Sequence, residues 1–337
     1  MANNETHKIN YYKNGNILYK KYYVNGKLHN ENGPAEIYYY NNGSIRGKWY
    51  YINGKLHNEN GPAIIDYYEN GNIQIEKYYT NNKIHRENGP AMIHYYENGS
   101  KYYEEHYING NLHREDGPAK IYYPNNNNSS IDRELYFIND KFHRENGPAE
   151  IDYYENGSIR YKKYCINGNL HNENGPAKIC YYENGLIASK WYCINGKFHN
   201  ENGPATIYYY ENGNVKNEKY YINNKLHRED GPAEINYYEN GNVSSKRYYI
   251  NNKLHNENEP ATMKYNKNGS IRNKEYYING EFIMTNEEVE KYINSIDPIK
   301  TKNINKLKIL YNICKTRNLE DKMNEIGNIL LLKALQE

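Results

Sequence analysis

The sequence predicts a mainly β protein: an elongated antiparallel β-meander repeat array of about ten 28-residue copies, closed by a small α-helical C-terminal cap. Three observations predict it. A histidine recurs at His29, His57, His85, His113, His143, His171, His199, His227 and His255, with gaps of 28 residues except for one of 30. After each histidine, like residues return at every second position, the period of a strand. Beyond Phe282 that grammar stops and apolar residues fall at helical spacing instead. A fixed period of this length marks an array in which each copy contacts only its neighbours.

Within a copy, Ala stands six residues past the histidine, Ile (Met263 in the last copy) eight past, and Tyr ten past. Ala, Ile and Tyr therefore share one strand face, and the Tyr is expected to be buried with them. The Asn-Gly that follows suits a tight hairpin, since both residues accept positive φ. A second run ends in Tyr-Tyr-Ile and another Asn-Gly or Asn-Asn. Lys-Leu-His then leads through Asn-Glu-Asn-Gly-Pro into the next strand, with the proline expected at a kink or sheet edge. This reads as two strands per copy. Residues 1–28 hold a truncated first copy, and the copy after His255 is degraded, with Glu259 in place of the loop glycine. The one longer gap coincides with the run Asn125 to Ser130.

The division expected is 1–282 for the array and 283–337 for a helical cap or docking segment. Thr285 and Glu288 form a capping box opening a helix that runs through Ile293, and Asp297-Pro298 breaks it. Ile304, Leu307, Leu310, Ile313 and Cys314, then Leu319, Met323, Ile326, Ile329, Leu330 and Ala334, fall at helical spacing. Such a cap would cover a sheet edge that otherwise invites aggregation.

Composition narrows the function classes. There are 43 basic and 41 acidic side chains, for a formal charge of +2. With no basic excess to follow a phosphate backbone, no nucleic acid is expected as a partner. Apolar residues make up 37% of the chain, and 43 tyrosines dominate them. The first residues hold no apolar signal region, and no apolar run is long enough to span a bilayer, so a cytoplasmic protein is expected. Four cysteines do not make a disulfide framework; Cys165 and Cys193 hold the same phase in neighbouring copies, too far apart in a meander to be bridged.

By this point the residues resemble the MORN repeat family in its variant form. The shared pattern is Asn53-Gly54-Lys55-Leu56-His57, then Gly61, Asn70-Gly71 and Tyr78. The string His113 to Ala119 is also similar to arrays in proteins of large DNA viruses and some bacteria. The family repeat is shorter, and the Asn-Glu-Asn-Gly-Pro-Ala insert departs from it. The resemblance implies a twisted β-sheet that mediates protein association, sometimes lipid contact, and implies no enzymatic activity. Lipid contact is the weaker expectation, because the chain has no net basic surface.

The nine histidines are expected to be structural, each ring bonding a loop carbonyl and fixing the kink. Equivalent positions two strands apart lie about 9.6 Å from each other, too far to share one ion, and no metal or cofactor is expected. The next tyrosine after the buried one, at Tyr40, Tyr68, Tyr96, Tyr154, Tyr182, Tyr210 and Tyr238, is expected to face outward. That row is the candidate interaction surface, since Tyr is enriched at binding hot spots. Variation just after the histidine, such as Asn30 against Arg86, would tune what it binds. The function expected is a non-enzymatic scaffold for a protein partner. Glycan binding through stacked aromatics and an antitoxin-like neutralising role are the alternatives.

Overall fold

Why the wide sheet forms is visible in one copy of the computed structural model, which describes residues 4–125, 130–295, 301 and 303–335. Strand β1 (Glu5–Tyr11) pairs antiparallel with β2 (Ile17–Val24), whose end turns into the short β3 (Lys27–Leu28). Strand β4 (Glu36–Tyr39) then pairs with β2 on one side and β5 (Ile45–Trp49) on the other. The hairpin between them closes on Asn42-Gly43: Gly43 sits at φ 87°, and the Asn42 side chain accepts from the Ser44 amide at 2.9 Å. A bulge at Tyr38/Tyr39 marks the entrance to the turn and recurs in most hairpins of the array.

Each copy then adds a second element that the two-strand expectation lacks. Strands β6 (Tyr51–Ile52) and β7 (Lys55–Leu56) form a separate two-stranded ribbon. Asn53 and Gly54 join them at φ 51° and 80°, positive at both central positions, so the turn matches the strand twist. Tyr50 is the pivot: its amide donates to the Ala63 carbonyl at 2.8 Å and its own carbonyl accepts from the His57 amide at 3.1 Å. The Lys-Leu pair therefore folds back on its own copy instead of running on into the next strand. Neighbouring ribbons are tied by amides, Gly54 to the Leu28 carbonyl at 2.8 Å and Asn30 to that of Tyr51 at 3.2 Å.

The chain divides into two compact units, residues 1–169 and 170–337. In the first, the wide sheet continues copy by copy through the strands from Ile64–Tyr67 to Ile159–Lys163. In the second, the same pattern runs from Lys178–Tyr181 to Ile271–Ile278. The expected lengthened turn at 125–130 falls largely outside the described residues.

Among the described residues, the alanines from Ala35 to Ala261 are fully sealed in every copy, each at 0% exposure. The tyrosines ten residues past each histidine, Tyr39 and Tyr67 among them, are half-buried, contrary to expectation. Each alanine is sealed where the histidine loop enters its strand, its backbone bonded on both sides (Ala63 amide to the Lys77 carbonyl at 2.8 Å, and its carbonyl from the Tyr50 amide), which leaves no room for a larger side chain. Ala63→Val forces two methyls into that closed spot. It is expected to cost about 1–3 kcal/mol, read as a lowered thermal midpoint for the first unit.

Among the described residues, large apolar side chains form a conventional core at the C-terminal end of the second unit. Helices α1 (Asn286–Ile293), α2 (Ile304–Thr316) and α3 (Glu320–Ala334) pack on the last strands of the second unit. Thr285 and Glu288 make the reciprocal capping box, and Asn303 caps α2. Met284, Val289, Leu307, Leu310, Cys314 and Ile326 are sealed together with Tyr276. The strand Glu281–Thr285 pairs with Ile271–Ile278, and the helices stand against that hairpin as a cap. Asp297-Pro298 lies outside the described residues.

Candidate interaction surface

The tyrosines expected to face outward do not. Tyr40, Tyr68, Tyr96, Tyr154, Tyr182, Tyr210 and Tyr238 are all half-buried. Each lies one residue past the end of its strand, where the hairpin turn begins, and its hydroxyl reaches along the array toward the next copy. The Tyr40 hydroxyl donates to the Tyr67 carbonyl at 2.7 Å, Tyr68 to that of Tyr95 at 2.8 Å and Tyr96 to that of Tyr123 at 3.1 Å. Tyr182, Tyr210 and Tyr238 do the same for Tyr209, Tyr237 and Tyr265 at 2.7–2.8 Å. Each hydroxyl thus satisfies a strand-end carbonyl one copy on, a staple between copies.

The histidines also bridge copies, through a different partner from the expected loop carbonyl. Nδ1 of His29 accepts the Asn53 amide at 3.0 Å, and His85, His113, His143, His171, His227 and His255 receive the equivalent amide at 3.1–3.3 Å. Nδ1 of His57 and of His199 finds no hydrogen-bond partner among the described residues. An accepting Nδ1 places the proton on Nε2, which faces a loop carboxylate two residues on, Glu31 at 3.5 Å from His29 for instance. Among the described residues no three of His, Cys, Asp and Glu converge as a metal site. The cysteines are free, and burial pushes the Cys165 thiol up to about 11, away from thiolate chemistry.

The residue after the histidine does one job in two forms. Asn30, Asn58, Asn172 and Asn200 donate from Nδ2 to the proline carbonyl four residues on, at 3.0–3.1 Å. Arg86, Arg114, Arg144 and Arg228 reach the same carbonyl with Nη1 at 3.1–3.4 Å. The arginines do something more. The guanidinium carbon lies 3.8–3.9 Å from the ring centroid of Tyr78, Tyr136 and Tyr220, and Arg114 meets His106, which stands in that tyrosine's place, at 3.1 Å.

A transverse row of side chains crosses the Ala-Ile-Tyr face. In the first unit the strand register aligns Ile9, Lys20, Ile37, Lys48, Ile65, Glu76, Ile93, Glu104, Ile121, Glu134, Ile151 and Lys162. In the second it aligns Ile179, Lys190, Ile207, Glu218, Ile235, Lys246, Met263 and Lys274. Isoleucine alternates with a charge whose sign varies. Where the charge is Glu, a tyrosine hydroxyl of the next copy donates to it: Tyr95 to Glu76 and Tyr237 to Glu218, both at 2.8 Å. Burial first, then that carboxylate, raises the pKa of both tyrosines. Where the charge is Lys, the ammonium stands over the equivalent ring, at 5.8 Å for Lys20 on Tyr39, 5.6 Å for Lys48 on Tyr67 and 5.9 Å for Lys190 on Tyr209.

The sign of this charge is matched ten residues later. Glu76, Glu104, Glu134 and Glu218 are followed by Arg86, Arg114, Arg144 and Arg228. Lys20, Lys48, Lys162, Lys190 and Lys246 are followed by Asn30, Asn58, Asn172, Asn200 and Asn256. No junction mixes the two. The pair meets at one tyrosine: the charges of both Arg86 and Glu76 act on Tyr78, and those of Arg228 and Glu218 on Tyr220, beneath the larger effect of burial. Lys48→Glu alone leaves a half-buried carboxylate with no guanidinium, whereas Lys48→Glu with Asn58→Arg rebuilds a junction the chain already uses. The double-mutant cycle is expected to show about 1 kcal/mol of favourable coupling in thermal unfolding. Additive single effects would sink the pairing.

The opposite face is a belt of buried charge already spent on itself. Lys21 bonds Glu36 at 2.7 Å, Lys120 bonds Glu105 at 2.6 Å, Lys163 bonds Glu150 at 2.6 Å, and Arg133 and Arg160 share Asp152 at 2.6 and 2.8 Å. In the second unit Arg247 and Lys219 hold Glu234. Burial raises the Glu150 and Glu234 carboxyl pKa values, but the cations bonded to them outweigh it and hold both below the usual value. Ribbon tyrosines line this face, and burial followed by the Glu36 charge pushes Tyr51 up to about 12.

Fold and surface together define an antiparallel β-repeat protein that stacks matched copies. The MORN repeat variant family model matches residues 65–87, 91–109, 205–223 and 233–251, and the chain carries repeats of that family. No curated protein matches the chain. Among solved structures, "Crystal Structure of TcdB2-TccC3" aligns at 10% identity over 83% of this chain and 14% of that one, with a TM-score of 0.18. "Crystal Structure of TcdB2-TccC3 without hypervariable C-terminal region" aligns at 9% identity over 81% of this chain and 17% of that one, with a TM-score of 0.14. The chain thus spans about a sixth of those chains or less, and scores this low carry no argument about its fold or function.

Proposed function

We propose that the protein is a non-enzymatic scaffold that binds a protein partner along the face carrying the Ile-Lys-Glu row. The observation that supports this most is the row itself: apolar and charged groups alternating in register on a half-buried face. The staple tyrosines bond strand-end carbonyls of the next copy and are not themselves the contact. No helix among the described residues is long and apolar enough to cross a membrane, and we place the scaffold in the cytoplasm.

A second reading, glycan binding, draws on the clefts between successive histidine loops. One is floored by Tyr136 and Ile138 between the 114–118 and 143–146 loops, and another by Tyr78 and Tyr79 between the 57–61 and 85–88 loops. Crosslinking mass spectrometry on complexes captured by the full chain separates the readings. Crosslinks from row lysines such as Lys48 to one protein support the scaffold. Capture of no protein, with a positive glycan array, overturns it in favour of the clefts.

A further inference from the structure

Resting on the scaffold reading, we infer that the Lys-Asn junctions of the first unit, centred on Lys20 and Lys48, are a docking position for an extended acidic segment of a partner protein. The Glu-Arg junctions argue it by contrast. At Glu76 and Glu104 the carboxylate is already bonded within the array, by the Tyr95 hydroxyl at 2.8 Å and by Lys101 at 2.7 Å, and Arg86, ten residues past Glu76, stands over the neighbouring Tyr78 ring and not in ion-pair contact. At Lys20 and Lys48 the chain supplies a neutral asparagine, and neither ammonium has a carboxylate within ion-pair distance among the described residues. Each has only a tyrosine ring, 5.6–5.8 Å away. Two adjacent half-buried cations flank Ile37 in strict register, Lys20 on one side and Lys48 on the other. Like charges placed together this way disfavour the free state, and an anion laid across both relieves it.

The geometry sets the ligand. Lys20 and Lys48 are two strands apart, about 9.6 Å. An extended chain covers about 3.3 Å per residue with alternate side chains on one side, so carboxylates four residues apart share a side, span about 13 Å and converge through their flexible side chains on both ammonium groups. An apolar side chain between them would sit over Ile37. Such a segment would cross the strands of the sheet face, reading the row and leaving the sheet edge unused.

The test uses full-length protein and fluorescent poly-L-glutamate at low ionic strength. The chain's own repertoire supplies the variant that removes the site without an alien residue pair: K20E/N30R/K48E/N58R converts both junctions to the Glu-Arg form found at Glu76 and Arg86. It lowers the net charge by two, so K55Q/K83Q, which removes two exposed ribbon charges away from the row, is the charge-matched control. The native chain and the control are expected to bind, more weakly as salt rises, and the converted chain to bind at least about tenfold more weakly, a fold-change of the size one lost charged contact produces. If the converted chain proves unstable by thermal unfolding, K20Q/K48Q is expected to show the same loss.

Equal binding by native and converted chains, equal loss in the control, or no binding by the native chain overturns the inference. So does a preference for anionic vesicles over the polypeptide. A protein partner that crosslinks to the row and stays on the converted chain would overturn the docking position while leaving the scaffold standing.

Discussion

Leu310→Ala is expected to remove about 2–5 kcal/mol from the packing of α1, α2 and α3, the largest effect of any single change considered. Leu310 is 1% exposed in the one cluster where large aliphatic side chains meet on all sides, among Leu307, Ile313, Met284 and Ile326. The cavity cannot close easily, because the strand carrying Met284 is fixed by its pairing with Tyr276. Hydrogen exchange reads the outcome directly. Protection should fall across the three helices and the strands Ile271–Ile278 and Glu281–Thr285, while Ile64–Tyr67 and its neighbours in the first unit keep theirs. Once the cap loosens, the last hairpin has an uncovered edge, and self-association at high concentration is the expected second sign. Unchanged protection in the helices would mean that their packing contributes little.

Acid is expected to weaken the first unit through two histidines outside the repeating nine. His94 stacks on Tyr103 with ring centroids 4.2 Å apart; burial, then Lys77, lowers its pKa to about 4. Burial, then Arg114, brings His106 down to about 4 as well. Both rings are neutral in the folded chain, while the unfolded chain takes up protons near 6.5. Their contribution is therefore complete above about 6.5 and is lost as pH falls toward 4. Allowing for partial solvent exposure, each is worth about 1–2 kcal/mol. The depressed carboxyl of Glu150 acts in the same direction lower down, losing stability as pH falls through its folded value, and Glu234 does the same in the second unit. Thermal midpoints across pH 7 to 4 test this, with H94Y/H106Y as the comparison, because tyrosine holds the place of His106 in most copies. An acid slope that the double variant does not flatten would remove the histidines from the explanation.

Much of the fold was legible because the histidine phase and the period-two run of Ala, Ile and Tyr are direct prints of strand geometry. The capping box at Thr285 was equally plain, since its hydrogen bonds are local. The ribbon was not, because Lys55–Leu56 is too short to show alternation and its pairing depends on Tyr50 turning out of the sheet. Tyr40 and its equivalents were assigned by strand alternation although each stands just past the strand end, where the turn and not the pleat sets the ring's direction. The charged row was missed because Lys48 and Glu76 look like tolerated variation when each copy is aligned alone. Its signal was in the sequence, in the coupling of each such charge to the residue ten places on.

That coupling bears on how such an array can change length. A duplication or loss of 28 residues joins two copies at a new place. If the cut falls between Lys48 and Asn58, or in the same stretch of any other copy, it can unite a glutamate with an asparagine or a lysine with an arginine. A cut anywhere else carries both members of each pair together and yields only junctions already present. Heritable gains and losses of copies are thus steered toward the hairpin half of the copy, and the junction, more than the 28-residue text, is the piece that is passed on whole.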